Sequence, residues 1–381
     1  MTSDPVRGHV VCAGLPGPQT ELLGVLLEAV LRRSGRADIA AFEVDDAHDH
    51  LVGSLRHGAA TAILVTHRPT VELVDAFARA GVPIVLAVPD LRSWVSRALA
   101  PAEEGGHGTD PYATSLAMFD RAAPLLDLAA ACDPFLVTAD DLSSGFAETI
   151  KRLVRHLRLQ DARAGEGFPE ELGPRIRALV EALGTERAPR PTFAPLDVLA
   201  GEYEDCFVER RTMSLSFGTV LLPKGASVKE TRSGVLDLTG QAGPITFGPY
   251  VRLPRGPWRV RYVFAVASNL VDVPLRFSVT AMSQAGLAEL ARTDYTPRAF
   301  GEHTVELPFE VFDPLAMVEM SVHKTRAMFE GDFAIGSLTF IGAPVEAPTR
   351  GAVYDHLLDG QEGVDQDDVP GRIADGQRAA T

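Results

Sequence analysis

Cysteine is scarce in this chain of 381 residues: only Cys12, Cys132 and Cys206 occur, an odd number at wide spacing. That excludes a disulfide framework and a closed thiolate zinc site, and it predicts a reducing, cytoplasmic setting. Long apolar runs are missing too. No stretch reaches the ~18 apolar residues of a membrane-spanning helix, and the run His9–Ala13 is too short to predict a secretory leader. Positive charge is the third shortage. Thirty-six Lys and Arg stand against 51 Asp and Glu, a net charge of −15. Binding to a phosphate backbone needs Lys and Arg, so no nucleic-acid partner is expected.

Some of the negative charge sits at the end, where Glu362, Asp365, Asp367 and Asp368 crowd among Gly and Gln with little to bury. This predicts an acidic, disordered tail over 346–381. The rest has globular composition and is long enough for two cores.

The first part alternates short apolar runs with helical patterns. Residues 8–13 form a run closed by Gly14-Leu-Pro-Gly17-Pro, after which Leu22, Leu23, Val25, Leu26, Leu27, Val30 and Leu31 recur at helical spacing. Strand segments follow at 62–65, 83–88 and 135–137, with helices at 71–80 and 146–159. This predicts an α/β domain with a parallel sheet over 1–165. A helix at 169–183 and the Pro-rich stretch from Arg187 to Pro195 read as a connecting segment over 166–200. Beyond it, alternating segments at 220–222, 245–247, 258–266, 275–281, 303–309, 317–322 and 333–341 predict an all-β, jelly-roll-like sandwich over 201–345.

The loop Gly14–Thr20 sits where a phosphate docks on a helix N-terminus, yet it has no Lys or Arg and contains two prolines that lack N–H groups. Taken alone it reads as an ordinary turn or as an anion loop, and a phosphate-loop fold for another nucleotide or sugar nucleotide stays open. His67 alone reads as a surface or hydrogen-bonded residue, and Asp140-Asp141 as a helix-capping pair. The cluster Asp45, Asp46, His48, Asp49 and His50 has no metal-ligand spacing, so no metal is expected there.

Four segments in order resemble the sulfotransferase superfamily that uses 3′-phosphoadenosine 5′-phosphosulfate, a phosphate-loop-like fold. They are Pro16-Gly-Pro-Gln-Thr20-Glu-Leu-Leu23, Ile63-Leu-Val-Thr-His67-Arg-Pro69, Pro83–Asp90 with Ser96, and Val137-Thr-Ala-Asp-Asp-Leu142 with the helix to Leu159. The likeness covers about residues 8–160. It implies a general base at His67, and a donor cofactor held through Pro16, Gln19, Thr20 and Ser96. It also implies three losses, because Gly17, Val65 and Val88 stand where the family has cations. Transfer of a charged sulfuryl group relies on such cations, so the resemblance implies a degenerate site, or an active one if Arg68, Arg92 or Arg97 supplies the charge.

In the β part, alternation puts Trp258, Val260, Tyr262 and Phe264 on one face of a strand. The lead-in Gly248-Pro-Tyr-Val-Arg-Leu-Pro-Arg-Gly256 resembles lectin-like sandwich modules that accompany bacterial polysaccharide enzymes. That resemblance implies a carbohydrate partner held by Tyr250, Arg252, Asn269 and Asp272, with the α/β part as a platform or a surface for a protein partner.

Overall fold

The computed structural model describes residues 8–342 apart from 47, 50–52, 54–60, 100–109, 160–172, 187–192, 210–211, 219–221, 223, 227 and 233. The expected tail, His50, most of the Pro-rich stretch and residues 220–221 of one expected strand therefore lie outside the described residues.

Strands β1 (His9–Ala13), β2 (Ile39–Glu43), β3 (Thr61–Thr66), β4 (Ile84–Ala87) and β5 (Phe135–Val137) form a parallel sheet in the order β2-β3-β1-β4-β5. Strands β1, β3 and β4 are short and apolar because both of their faces are covered. In β1 the side chains of Val10 and Cys12 enter one core and those of Val11 and Ala13 the other. Helices α1 (Pro18–Arg33), α2 (Val71–Ala80), α3 (Leu91–Leu99), α4 (Pro111–Cys132), α5 (Ala139–Ser143), α6 (Phe146–His156), α7 (Gly173–Glu186) and α8 (Ala194–Glu209) complete this part. Among the described residues no helix is long and apolar enough to cross a membrane. The Asp140-Asp141 pair caps α5 as expected: Thr138 and Asp141 exchange side-chain and backbone bonds in a capping box.

One face of the sheet is covered by α1, α6 and α7, which bury Leu22, Leu26, Ile150, Leu153 and Ile176. The other carries α2, α3, α4 and α8, and its core continues without a break into the β part. Helix α8 begins inside the segment read as linker. Pro195 falls in its first turn, where a missing N–H costs nothing. Leu196, Leu199, Ala200, Tyr203, Cys206 and Phe207 then recur at helical spacing and are all buried. The long helix α4 is buried around most of its circumference from Ala122 to Leu128. Its nearly uniform apolar character leaves no polar face to mark it in the sequence.

The β part is a sandwich of antiparallel sheets. Strands β6 (Ser214–Phe217), β7 (Lys229–Arg232), β8 (Val235–Asp237), β10 (Gly256–Val266), β13 (Gly301–Val311) and β15 (Asp332–Gly342) make a six-stranded sheet. Strands β9 (Gly243–Thr246), β11 (Leu275–Ser283), β12 (Gly286–Tyr295) and β14 (Met317–Lys324) make a four-stranded one. Trp258, Val260, Tyr262 and Phe264 point into the core together, as the alternation predicts.

Aromatic rings join the two parts. Phe119 of α4 lies 5.4 Å from Tyr203 of α8 and 5.8 Å from Phe217 of β6, and Phe217 lies 6.0 Å from Phe340 of β15. Ion pairs surround these contacts. Arg255 bonds Asp127 of α4 at 3.0 Å and Asp75 of α2 at 2.7 Å, while Arg252 reaches Asp120 of α4 at 2.6 Å. The phenol of Tyr203 donates to the Arg252 carbonyl at 3.0 Å. The segment 250–256 before β10 is thus held against the helices by side chains of both parts.

Candidate functional site

The sheet order reverses at β1. Helix α1, after β1, packs on one face, whereas α2 and α3, after β3 and β4, pack on the other. A crevice opens at the carboxyl ends of strands where such connections diverge. A small cleft of about 50 Å³ lies there, lined by Leu15, Pro16, Gln19, Pro89, Asp90 and Trp94 among others. The loop that forms its floor is set by glycine. A Cβ on Gly14 would fall 2.4 Å from the Thr20 hydroxyl and 2.9 Å from Ala87 Cβ. Gly17, the N-cap of α1, holds φ 147°, which L side chains rarely adopt.

The sequence-predicted cofactor residues meet here only in part. Pro16 and Gln19 line the cleft. The Gln19 amide donates to the carbonyls of Val88 at 3.0 Å and Val137 at 3.2 Å, so both of its N–H groups tie strand ends together. Thr20 is 3% exposed and its hydroxyl donates to the Leu15 carbonyl at 2.6 Å. It closes the loop rather than facing a ligand. Ser96 is buried in α3, its hydroxyl has no partner, and it is not among the residues lining the cleft.

His67 stands at the end of β3, on the opposite side of β1 from β4. Its Nδ1 is 2.7 Å from the Gly14 carbonyl, which can only accept, so Nδ1 carries the proton and Nε2 keeps the lone pair. Asp45 fixes this corner, one carboxylate oxygen accepting from the Thr66 hydroxyl and from the His67 and Arg68 backbone N–H groups at 2.9–3.0 Å. The arginines that were to replace the missing cations are engaged elsewhere. Arg68 pairs with Asp120 at 2.9 Å, and Arg92 pairs with Glu204 of α8 at 3.6 Å. The side chain of Arg97 lies outside the described residues. Among the described residues no Lys, Arg or His lines the cleft.

In the sandwich, the four expected glycan residues do not assemble. Tyr250 and Arg252 precede β10, whereas Asn269 and Asp272 follow it. An 11-residue strand lies between the pairs, and at about 3.3 Å per residue it separates them by more than the length of a disaccharide. Arg252 is occupied by Asp120 and by the Leu315 carbonyl. Asp272 is an exposed partner of Arg298 at 2.9 Å, and Asn269 is exposed in a short 3₁₀ turn. The two pairs stand at opposite ends of one strand, and of the four Tyr250 is the one whose neighbours form a cluster.

Tyr250, in the left-handed region at φ 59°, lies beside Glu319 of β14. Val318, Met320 and Val322 fill the core, so Glu319, Ser321 and His323 turn to the other face, where Ser321 is itself buried. Across the strand pair they meet Thr280, Ser278 and Arg276 of β11. Ser278 and Ser321 bond to each other at 3.0 Å, and Arg276 is tied to Asp294 at 2.9 Å. Tyr112, at the start of α4, completes the cluster. Its hydroxyl is buried with no hydrogen-bond partner. Burial, and then the neighbouring Tyr250, Glu319 and Asp110, push its phenol well above the ordinary range. Burial also raises the Glu319 carboxyl, while the Tyr250 hydroxyl pulls it back. Alternation along 317–322 was the signal that could have found Glu319. Nothing in the sequence marks Tyr112, because the long helix brings it there.

No protein-family model and no curated protein matches this chain. Solved structures similar to part of it include a family 16 carbohydrate-binding module, at 12% identity over 30% of this chain and 86% of that one, TM-score 0.23. The C-terminal family 6 carbohydrate-binding module of LamC from Zobellia galactanivorans is similar at 15% identity over 33% and 98%, TM-score 0.21. Murine APRIL is similar at 14% identity over 35% and 99%, TM-score 0.22. Scores this low leave the antiparallel sandwich to be argued from its own strand pairing and its function from its own residues.

Proposed function

We propose that this protein is a glycan-binding protein whose site is the outer face of the four-stranded sheet around Tyr250, Glu319 and Tyr112, with the α/β part as its platform. The observation that carries this reading is the Tyr250–Glu319 pair beside a buried Tyr112 hydroxyl that lacks a partner. A buried hydroxyl left unpaired costs about 1–3 kcal/mol, which a ligand hydroxyl recovers. Sugars offer such hydroxyls in rows, together with C–H faces that stack on tyrosine rings. Arg276 and Asp294 extend the polar surface along the same strands, while Ser278 and Ser321 bond to each other out of solvent. The three cysteines, none of them in a disulfide, favour a reducing, cytoplasmic setting for this activity.

The test is a glycan array carrying neutral and acidic polysaccharides, probed with the full chain and with Tyr112→Phe and Glu319→Gln. The expected result is retention of a defined glycan class that each substitution weakens about tenfold with an unchanged melting curve. Absence of binding to every glycan, or binding indifferent to both substitutions, overturns the reading.

A second reading retains sulfuryl transfer from 3′-phosphoadenosine 5′-phosphosulfate to a carbohydrate hydroxyl. The orientation of His67 favours it, since the Gly14 carbonyl leaves Nε2 as a proton acceptor at the mouth of the loop. Engagement of Arg68 and Arg92 by carboxylates weighs against it. Isothermal titration with 3′-phosphoadenosine 5′-phosphate decides: micromolar binding supports the reading, and no heat from folded protein removes it.

A further inference from the structure

Strand β12 ends the four-stranded sheet, and among the described residues its backbone bonds go to β11 alone. Which of its groups are left over follows from the ladder. Val318 of β14 exchanges backbone bonds with Val251 at 2.7 and 2.9 Å, so its N–H and C=O turn away from β11. In an antiparallel ladder such groups alternate residue by residue. Glu319 therefore bonds Thr280, while Val279 and Ala281 bond across to β12. Ala281 faces Ala288, and Val279 faces Ala291 beyond a bulge at Leu290. The N–H and C=O groups of Leu287, Glu289, Arg292 and Asp294 are thus the ones that point out of the sheet edge, and all four side chains are exposed.

The bulge decides what this edge can meet. It brings Glu289 and Arg292 to one face, where they pair at 3.7 Å with about half of each side chain exposed; in an unbroken strand they would stand on opposite faces. Leu290 and Ala291 separate the two outward residues, so the edge is its own complement about their midpoint. A second copy running antiparallel through that midpoint sets its Arg292 opposite Glu289 and its Glu289 opposite Arg292, bulge against bulge. Registers centred on Glu289 or on Arg292 put like charges together, which is unfavourable. The long edge of the other sheet is guarded against such pairing: Pro308 interrupts β13, and Glu302, Glu306 and Glu310 line its exposed face. Strand β12 has no proline, and its Leu287, 72% exposed, gains cover from an added strand. We propose that two copies of this chain associate through β12, pairing antiparallel so that two four-stranded sheets become one. Glu289 and Arg292 of each copy close a ring of four alternating charges about the two-fold axis. The dimer does not rest on the glycan reading, yet it joins the outer faces of both copies, with their Glu319 clusters about 24 Å apart by strand spacing.

Sedimentation velocity of the full chain at low salt tests this. The expected result is the mass of two chains with a micromolar dissociation constant, weakening as salt rises because the charges are exposed. Glu289→Arg and Arg292→Glu each fill the ring with like charge, and each is expected to weaken association at least about tenfold with circular dichroism unchanged. Mixing the two variants restores opposite signs at both contacts, so a heterodimer is expected to form with the affinity of the unmodified chain. That rescue separates a contact across the edge from damage to the fold. The proposal is overturned by a single-chain mass at about 100 μM, by a dimer indifferent to both reversals, or by reversed chains that stay monomeric when mixed.

Discussion

The two faces of the parallel sheet are covered in different ways. One carries α1, α6 and α7, and its core ends with them. The other carries α2, α3, α4 and α8, whose far sides meet the sandwich, so that Val11 of the central strand and Phe340 of β15 belong to one apolar cluster. A face closed by its own helices makes a layer complete in itself. A face whose helices, α4 and α8 above all, bury apolar side chains on several sides requires a second layer, and here the sandwich is that layer. Charge follows the same division: Arg252 and Arg255 of the β part pair with Asp120, Asp127 and Asp75 of the helices. The sandwich is therefore a structural partner of the sheet as well as the carrier of the proposed glycan face.

The sharpest way to break this comparison is Phe119→Ala. Phe119 is fully buried between Tyr203 and Phe217, and its truncation is expected to cost about 3–5 kcal/mol. Because the core is shared, far-ultraviolet circular dichroism and the emission of Trp258 should lose their transitions together in urea. Separate transitions would mean that the parts fold alone.

A smaller effect is expected at the α3–α8 contact. Burial, and then the charge of Asp90, push Glu204 up to about 7, against an ordinary value of 4.5, although the Arg92 backbone N–H and guanidinium pull it down. A raised folded-state value favours the protonated form in the folded protein. The stability contributed is therefore full below about pH 4.5 and is lost as pH rises through about 7. Glu204→Gln should flatten that decline and stabilise the protein by about 1–3 kcal/mol at pH 8, read from urea midpoints across the range. A decline unchanged by the substitution would assign it to another group.

The smallest effect is expected at the far end of β10. Asp272 and Arg298 are 67% and 81% exposed, and exposed pairs of this kind contribute little. Asp272→Ala should leave both the urea midpoint and glycan retention where they were. A loss of retention would move the glycan site to the opposite end of the sandwich.

What was legible in the sequence follows from periodicity. The buried strands β1, β3, β4 and β5 and the long alternating strands β10, β11, β13, β14 and β15 stand out because each carries one simple pattern. Helix α2 was found residue for residue, with Thr70 capping its start. Helices α4 and α8 were missed because both are buried on several sides, and Pro124 and Pro195 resemble breaks until the second layer is present. The candidate sites fared similarly. Pro16 and Gln19 were placed at the cleft by their position after β1. Asp90 and Trp94 come from another strand's end and join them only through the sheet order. Tyr250 was found in a local motif, whereas its partners lie on β14 and at the head of α4, distant in the chain.

The backbone of Gly17 limits what charge this loop can carry. At φ 147° any side chain there is strained by roughly 1–3 kcal/mol, so a single substitution to lysine or arginine would bring a cation to the loop only at that cost. To place one without strain the loop would have to be rebuilt, along with the tight approach of Gly14 to Thr20 and Ala87.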